Sequence, residues 1–288
     1  MKNLEIIDKL TEFAAEACLS EVSCFPSPGL VSPVSKGAHK DMNYFTFIGS
    51  TTVLIKTFYK CSSLGCEAKG EKELFKSLIE IGKIGEAEML KKTSGVNTQK
   101  GLLFILGISL AASSRAYILG LKFEDIREII KRITAGIVSR DLDNIDINKP
   151  MSHGEKIYLK YKIDGIRGQI EKGLPLIFDY SLKIFEDNND LDLNHRLVHT
   201  LLYIIKELDD TNILYRHSLN TLSYVKTRAE GILTKGGMKT IEGREQTDEF
   251  DRELSIKNIS PGGSADILAV TYYFYLLKKY WRESGHDI

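Results

Sequence analysis

Apolar residues in this chain recur at steps of three and four along nearly its whole length. That spacing suits the turn of an α-helix and not the two-residue repeat of a strand. Leu4, Ile7, Leu10, Phe13, Ala14 and Ala17 form one stripe, and Leu74, Leu78, Ile81 and Ile84 form another. The pattern continues over Leu102–Leu119, Phe123–Val138, Leu193–Leu208, Ile213–Leu233 and Ile267–Tyr280. Thr52–Phe58 alone alternates like a strand, and it reads equally as more helix. All six prolines fall at the edges of these stripes, where a fixed φ and a missing N–H do least harm. The expected fold class is therefore all-α: one multi-helix globular domain with a central polar cleft built from the loops between helices.

Asp141–Pro150, rich in Asp and Asn, is the best place to divide the chain. Polar motifs from both sides of it belong together, so a single domain spanning residues 1–288 is expected. Lys235-Gly236-Gly237 separates two helical segments, and the charged stretch Gly243–Glu253 reads as a solvated helix face or a mobile connection. Formal charge is balanced, Lys+Arg 39 against Asp+Glu 39, which removes any global electrostatic case for nucleic acid or anionic lipid. The first residues alternate charged and apolar positions, unlike a secretion signal, and no apolar run is read as crossing a bilayer, so a cytoplasmic location is the expectation. Cys18, Cys24, Cys61 and Cys66 lack the paired spacing of a zinc site and are expected to be reduced thiols.

The most informative polar turn is Ser260-Pro261-Gly262-Gly263-Ser264-Ala265-Asp266, which runs straight into an apolar stripe. Its proline and glycines let backbone approach a ligand, Ser264 can cap the following helix, and Asp266 falls in the first turn. Unpaired N–H groups and the positive end of the helix dipole make such a start an anion site, and phosphate fits it. Glu21–Met42 is a long irregular segment between two helices that brings Glu21, His39 and Asp41 together, candidates for general base, proton relay and magnesium ligand. Thr93–Gly101 offers Asn97 and Lys100 at another helix start, without P-loop spacing. His153 beside Gly154, and Arg167 between Gly165 and Gly168, are unusual for plain helix, and an arginine so flanked suits bidentate contact with phosphate. Asp209-Asp210-Thr211-Asn212, with Arg216 one turn later, places adjacent carboxylates at a helix junction where they serve either Mg²⁺ or capping.

In chain order, GAHKDM, GVNTQKG, SHG, GIRG, DDTN with Arg216, and SPGGSAD resemble the signature set of the triphosphoribosyl-dephospho-coenzyme A synthase family, over roughly residues 21 to 270. The resemblance implies an all-helical transferase that joins ATP to 3′-dephospho-CoA. The 2′-hydroxyl of dephospho-CoA attacks the anomeric carbon of the ATP ribose and adenine leaves with the triphosphate intact. The product is the precursor of a prosthetic group passed to the acyl carrier subunit of citrate lyase or malonate decarboxylase. Such chemistry needs a grip on triphosphate, a proton acceptor and stabilisation of positive charge on the sugar. Asn97, Lys100, Arg167, Asn212, Arg216, Ser260, Gly262, Gly263 and Ser264 are the expected nucleotide and phosphate residues, Asp41 and Asp210 the expected Mg²⁺ ligands, and Glu21, His39 and His153 the acid/base candidates.

The chain departs from the family pattern at Ser27, where lysine is usual, at Ser32 (aspartate), Gln99 (histidine), Gln169 (glutamate) and His217-Ser218 (a glycine pair). The changes at 27, 32 and 169 remove charge. They motivate two rival readings, a non-catalytic binder of a nucleotide or CoA derivative, and a hydrolase of a ribosyl-nucleotide bond.

Overall fold

A computed structural model describes residues 2–67, 70–146, 148 and 151–285. Its α-helices are α1 (Lys2–Ser23), α2 (Tyr44–Cys66), α3 (Glu71–Lys92), α4 (Lys100–Ile118), α5 (Ile126–Thr134), α6 (His153–Tyr161), α7 (Gly165–Glu171), α8 (Leu182–Asp187), α9 (Leu193–Glu207), α10 (Thr211–Arg216), α11 (Leu219–Thr234), α12 (Ile241–Ile256) and α13 (Gly262–Glu283). Among the described residues there is no strand, and the all-α expectation holds.

Short polar residues set where these helices begin. Asn43 Oδ1 accepts the Thr46 N–H while Thr46 Oγ1 accepts the Asn43 N–H, a reciprocal box that starts α2. Ser152 and Glu155 do the same for α6. Asp192, Ser218 and Thr240 cap α9, α11 and α12 through their side-chain oxygens.

α1, α2, α3 and α4 pack against one another, and α13 lies against α1, α4, α8 and α9, so the last helix joins the N-terminal layer to the C-terminal one. Its buried face, Ile267, Val270, Phe274, Leu277 and Trp281, steps by three and four as the periodicity required. One hydrophobic core runs from Ile6 to Trp281 and draws residues from both sides of the Asp141–Pro150 segment. α4 is long and apolar enough by composition to cross a bilayer, contrary to the reading of the sequence, and 78% of that stretch is buried inside the protein. Its flanking helices account for its composition as core.

Several boundaries differ from the periodic reading. Thr52–Phe58 is interior to α2. Phe123–Val138 is a 3₁₀ turn, the shorter α5, and a break at Gly136, whose φ of +75° a helix cannot hold. Ile213–Leu233 divides at His217-Ser218, where Ser218 caps a new helix. The charged stretch Gly243–Glu253 belongs to α12, and its Phe250, Asp251 and Leu254 are buried. Ser139–Asp143 is a π-helical turn where a loop was expected, and residues 147, 149 and 150 of the expected divide lie outside the described residues.

Trp281, the only tryptophan, is fully buried and its Nε1–H donates to the Leu121 carbonyl at 3.1 Å. Trp281→Ala is expected to cost about 3–5 kcal/mol. Urea unfolding followed by circular dichroism should show a lower midpoint at unchanged slope; an unmoved midpoint would mean α13 is not held by this end.

Candidate active site

The turn before α13 behaves as an anion site, and the anion is a side chain. Helix α13 begins at Gly262, so Ser264 lies inside the first turn and does not cap it. Its N–H and Oγ–H both donate to Asp210 Oδ2, at 2.8 and 3.0 Å. Asp210 Oδ1 accepts the Asn212 and Ile213 N–H groups, at 2.9 and 3.4 Å, capping α10. One carboxylate thus closes the starts of two helices, and with four donors its lone-pair sites are filled. This is a capping role, and it leaves no oxygen free for a metal. Burial pushes the Asp210 carboxyl up from its ordinary value while the donors of Ser264, Asn212 and Ile213 pull it back.

Glycines let the two motifs meet. A Cβ on Gly262 would lie 2.9 Å from Asn212 Nδ2, and one on Gly263 would lie 3.2 Å from the Asp210 carboxylate. The long loop joins at the same place, because His39 Nε2 and Ser260 Oγ share a hydrogen bond of 2.9 Å, and the Gly29 N–H donates to Asp251 Oδ1 at 2.9 Å. Desolvation and the nearby Arg216 guanidinium lower the His39 pKa, against the pull of Asp41. Asp41 itself is exposed, 4.0 Å from His39 Nδ1.

A second pair of carboxylates lies beneath. Glu21, near the end of α1, is 5% exposed and its carboxyl has no hydrogen-bond partner among the described residues. Burial pushes it up to about 8. Asp266, the fifth residue of α13 and so just past the first turn in which the sequence placed it, faces the start of α4, where a Cβ on Gly101 would lie 2.2 Å from Asp266 Oδ2. Its carboxyl is held well above the usual range by burial, then by the charges of Glu21 and Asp210, with the Leu102 N–H pulling the other way. The sequence reading passed over Asp266 as a residue of the first helical turn, since the glycine that faces it lies in another motif.

Several of the expected phosphate residues already have partners within the protein. Asn97 Oδ1 accepts the Lys100 N–H, a local cap where a phosphate contact was expected. Lys100 Nζ pairs with Glu86 at 2.5 Å and Arg167 Nε with Asp141 at 3.2 Å. Such pairs near the surface are worth about 0–1 kcal/mol, little enough for a polyanion to displace them. Arg216 is exposed and has no partner among the described residues. His153 is exposed, and its ring lies flat on Tyr215. The N–H groups of Gly262 and Gly263, first in their helix, have no intrahelical acceptor. Concavities of about 550 Å³, lined by Lys206, Asp209 and Asn220 among others, and about 280 Å³, lined by Gly165, Gln169 and Asp209 among others, flank this cluster. Neither is the central cleft that was expected.

Most of the departing positions have structural work. Ser27 is fully buried, Ser32 Oγ accepts the Ser35 N–H, Gln99 Oε1 accepts the Ser50 hydroxyl at 2.8 Å, and Gln169 Oε1 accepts the Leu176 N–H.

The profile of one protein family, ATP:dephospho-CoA triphosphoribosyl transferase, matches residues 7–285. The chain is 36% identical over 272 residues to a protein of Malonomonas rubra named probable 2-(5''-triphosphoribosyl)-3'-dephosphocoenzyme-A synthase, covering 91% of this chain and 85% of that one. It is 35% identical over 270 residues to the 2-(5''-triphosphoribosyl)-3'-dephosphocoenzyme-A synthase of Escherichia fergusonii, covering 92% and 89%. Protein CitXG of Leuconostoc mesenteroides is 35% identical over 267 residues, and the match spans 57% of that longer protein. No solved structure matches.

Asp210→Asn is expected to lose about 1–3 kcal/mol, because the new amide turns a donor toward donors. Hydrogen exchange should quicken at the starts of both α10 and α13; faster exchange at one alone would break the clamp. Glu21 gives a pH signature. Its unfolded form releases the proton near 4.5 and the folded form holds it to about 8. Burial of its charge therefore costs nothing below 4.5, costs about 1.4 kcal/mol more for each unit that pH rises above that, and levels off above 8. Glu21→Gln should remove that share of the slope in urea midpoints between pH 5 and 9, and parallel profiles would refute the assignment.

Proposed function

The chain belongs to the ATP:dephospho-CoA triphosphoribosyl transferase family, and from that premise we propose how its own residues carry the transfer. It is a transferase that makes 2′-(5″-triphosphoribosyl)-3′-dephospho-CoA from ATP and 3′-dephospho-CoA with release of adenine. The observation that carries the residue assignment is that the buried Glu21 and the half-buried Asp266 lie close enough for the Glu21 charge to raise the Asp266 carboxyl, in a region where Lys100 and Arg216 are exposed.

In this reading the triphosphate lies against Arg216, Lys100 and Arg167 and the free N–H groups of Gly262 and Gly263. Nothing in that set attacks phosphorus, which suits a reaction that leaves the triphosphate whole. The 2′-hydroxyl oxygen forms a bond to the anomeric carbon as the bond from that carbon to adenine breaks. Adenine departs with the electron pair and takes up a proton at a ring nitrogen. The hydroxyl proton passes to the carboxylate pair, Glu21 with Asp266, and the two proton movements balance. Carboxylate charge near the sugar also favours a transition state with positive character. His39, hydrogen-bonded to Ser260 and with its pKa lowered by burial and then by Arg216, is the proposed proton relay.

Magnesium has no ready cage here. Among the described residues no three His, Cys, Asp or Glu side chains gather as ligands, and the Asp210 oxygens are taken. Any Mg²⁺ is proposed to enter on the triphosphate, with exposed Asp41 as the remaining candidate ligand, through water. A cytoplasmic setting, where both nucleotides are made, and delivery of the product toward an acyl carrier subunit complete the proposal. No observation favours the binder or hydrolase readings, since buried Ser27 and Ser32 sit within the packing of their loop.

Adenine release from ATP, followed by mass analysis, is expected to require 3′-dephospho-CoA and to yield the triphosphoribosyl adduct. Free triphosphoribose would indicate a hydrolase, and bound ATP without adenine a binder. Glu21→Gln should lower kcat by about 10²–10⁴-fold. Because the base acts ionised, the wild-type rate should climb with pH toward an apparent pKa near 8.

A further inference from the structure

His153 and Tyr215 form an exposed aromatic stack that the transfer chemistry above does not use. Their ring centroids lie 3.5 Å apart with 17° between planes, with His153 exposed and Tyr215 36% exposed. An imidazole and a phenol pressed flat at the surface, with the Lys156 ammonium over the phenol ring, make an aromatic surface that suits another planar ring. Both halves are firmly held. His153 is the first residue of α6, fixed by the Ser152 and Glu155 capping box, and Tyr215 rides on α10, whose start is clamped by Asp210. The His153 ring nitrogens have no hydrogen-bond partner among the described residues, so no acceptor or donor poises them for proton transfer.

The surroundings add the second half of a nucleotide. Lys156 Nζ lies 5.7 Å from the Tyr215 ring centroid, and Lys100 and Arg216 act on His153 from the neighbouring motifs. Burial and these three cations lower the His153 pKa and favour the neutral ring. The guanidinium of Arg167 comes in beneath, with Nη1 3.2 Å from where a Cβ on Gly154 would stand.

We propose that the His153–Tyr215 stack is a platform for an adenine ring, with Lys100, Lys156, Arg167 and Arg216 placed for the phosphates attached to it. His153 then binds and orients the base and does not move a proton. Both substrates of the proposed reaction contain adenine, and the proposal rests on that reading for its ligands.

The test is calorimetric binding of ATP, 3′-dephospho-CoA and inorganic triphosphate to the full chain, as wild type, His153→Ala and His153→Phe. Loss of the stack in His153→Ala should weaken at least one adenine ligand about tenfold or more, and leave triphosphate within about twofold. His153→Phe should restore that ligand, since it keeps a flat ring and no titratable nitrogen. The ligand that responds, ATP or dephospho-CoA, identifies whose adenine is held. Equal weakening of triphosphate, failure of phenylalanine to rescue, or no change in any ligand would each overturn the platform. Wild-type adenine release, measured alongside, separates the two ideas. Phenylalanine-rescued ATP binding without any release would leave the platform standing and refute the transfer reading. Release lost in both variants at unchanged affinity would make His153 an acid or base and refute the platform.

Discussion

The Asp210 carboxylate is the constraint on which the arrangement of the site depends. A buried carboxylate without a basic partner is costly, and this one is tolerated because it accepts four hydrogen bonds at the positive ends of two helices. Its position fixes where α10 and α13 begin relative to each other. Asn212, Tyr215 and Arg216 follow from the first, and Gly262, Gly263 and Asp266 from the second. The loop comes into place through Ser260 and His39. A larger residue at Gly263 would crowd this carboxylate and one at Gly262 the Asn212 amide, so each would make its neighbour shift.

The acids of this region are of two kinds. Asp210 is satisfied and structural. Glu21 has no hydrogen bond for its carboxyl, and Asp266 has the weak support of one N–H at the start of α4. Protein interiors seldom keep such groups without a reason in chemistry. The folded state holds them protonated at a pH where water would ionise them, a cost in stability that makes a strong proton acceptor available once one of them is ionised. Stability and reactivity are thus set against each other within a few side chains.

Fold class was readable because amphipathic stripes are local: Ile267 to Trp281 shows its buried face in its own spacing. The α2 start is set by Asn43, a cap that the sequence reading did not name, and the α5 end was misread because the break depends on one glycine, Gly136. The motif residues were also visible, but their roles were not. Ser264 looks like a cap until Asp210 arrives from another helix, and Asn97 looks like a ligand until its oxygen meets the Lys100 N–H. Asp266 and the His153–Tyr215 stack depend on partners in distant motifs, and no spacing within one motif carries that information.

The bridging position of α13 has a consequence for how the chain matures on the ribosome. Helices α1 to α12 emerge first, and until α13 follows, Asp210 lacks the Ser264 donors and Asp266 is absent from the start of α4. The nascent chain thus carries Glu21 in an unfinished pocket, ionised in water and without its neighbour. The helix that completes the core also completes the proposed site, so an arrested or truncated product lacking α13 would have neither.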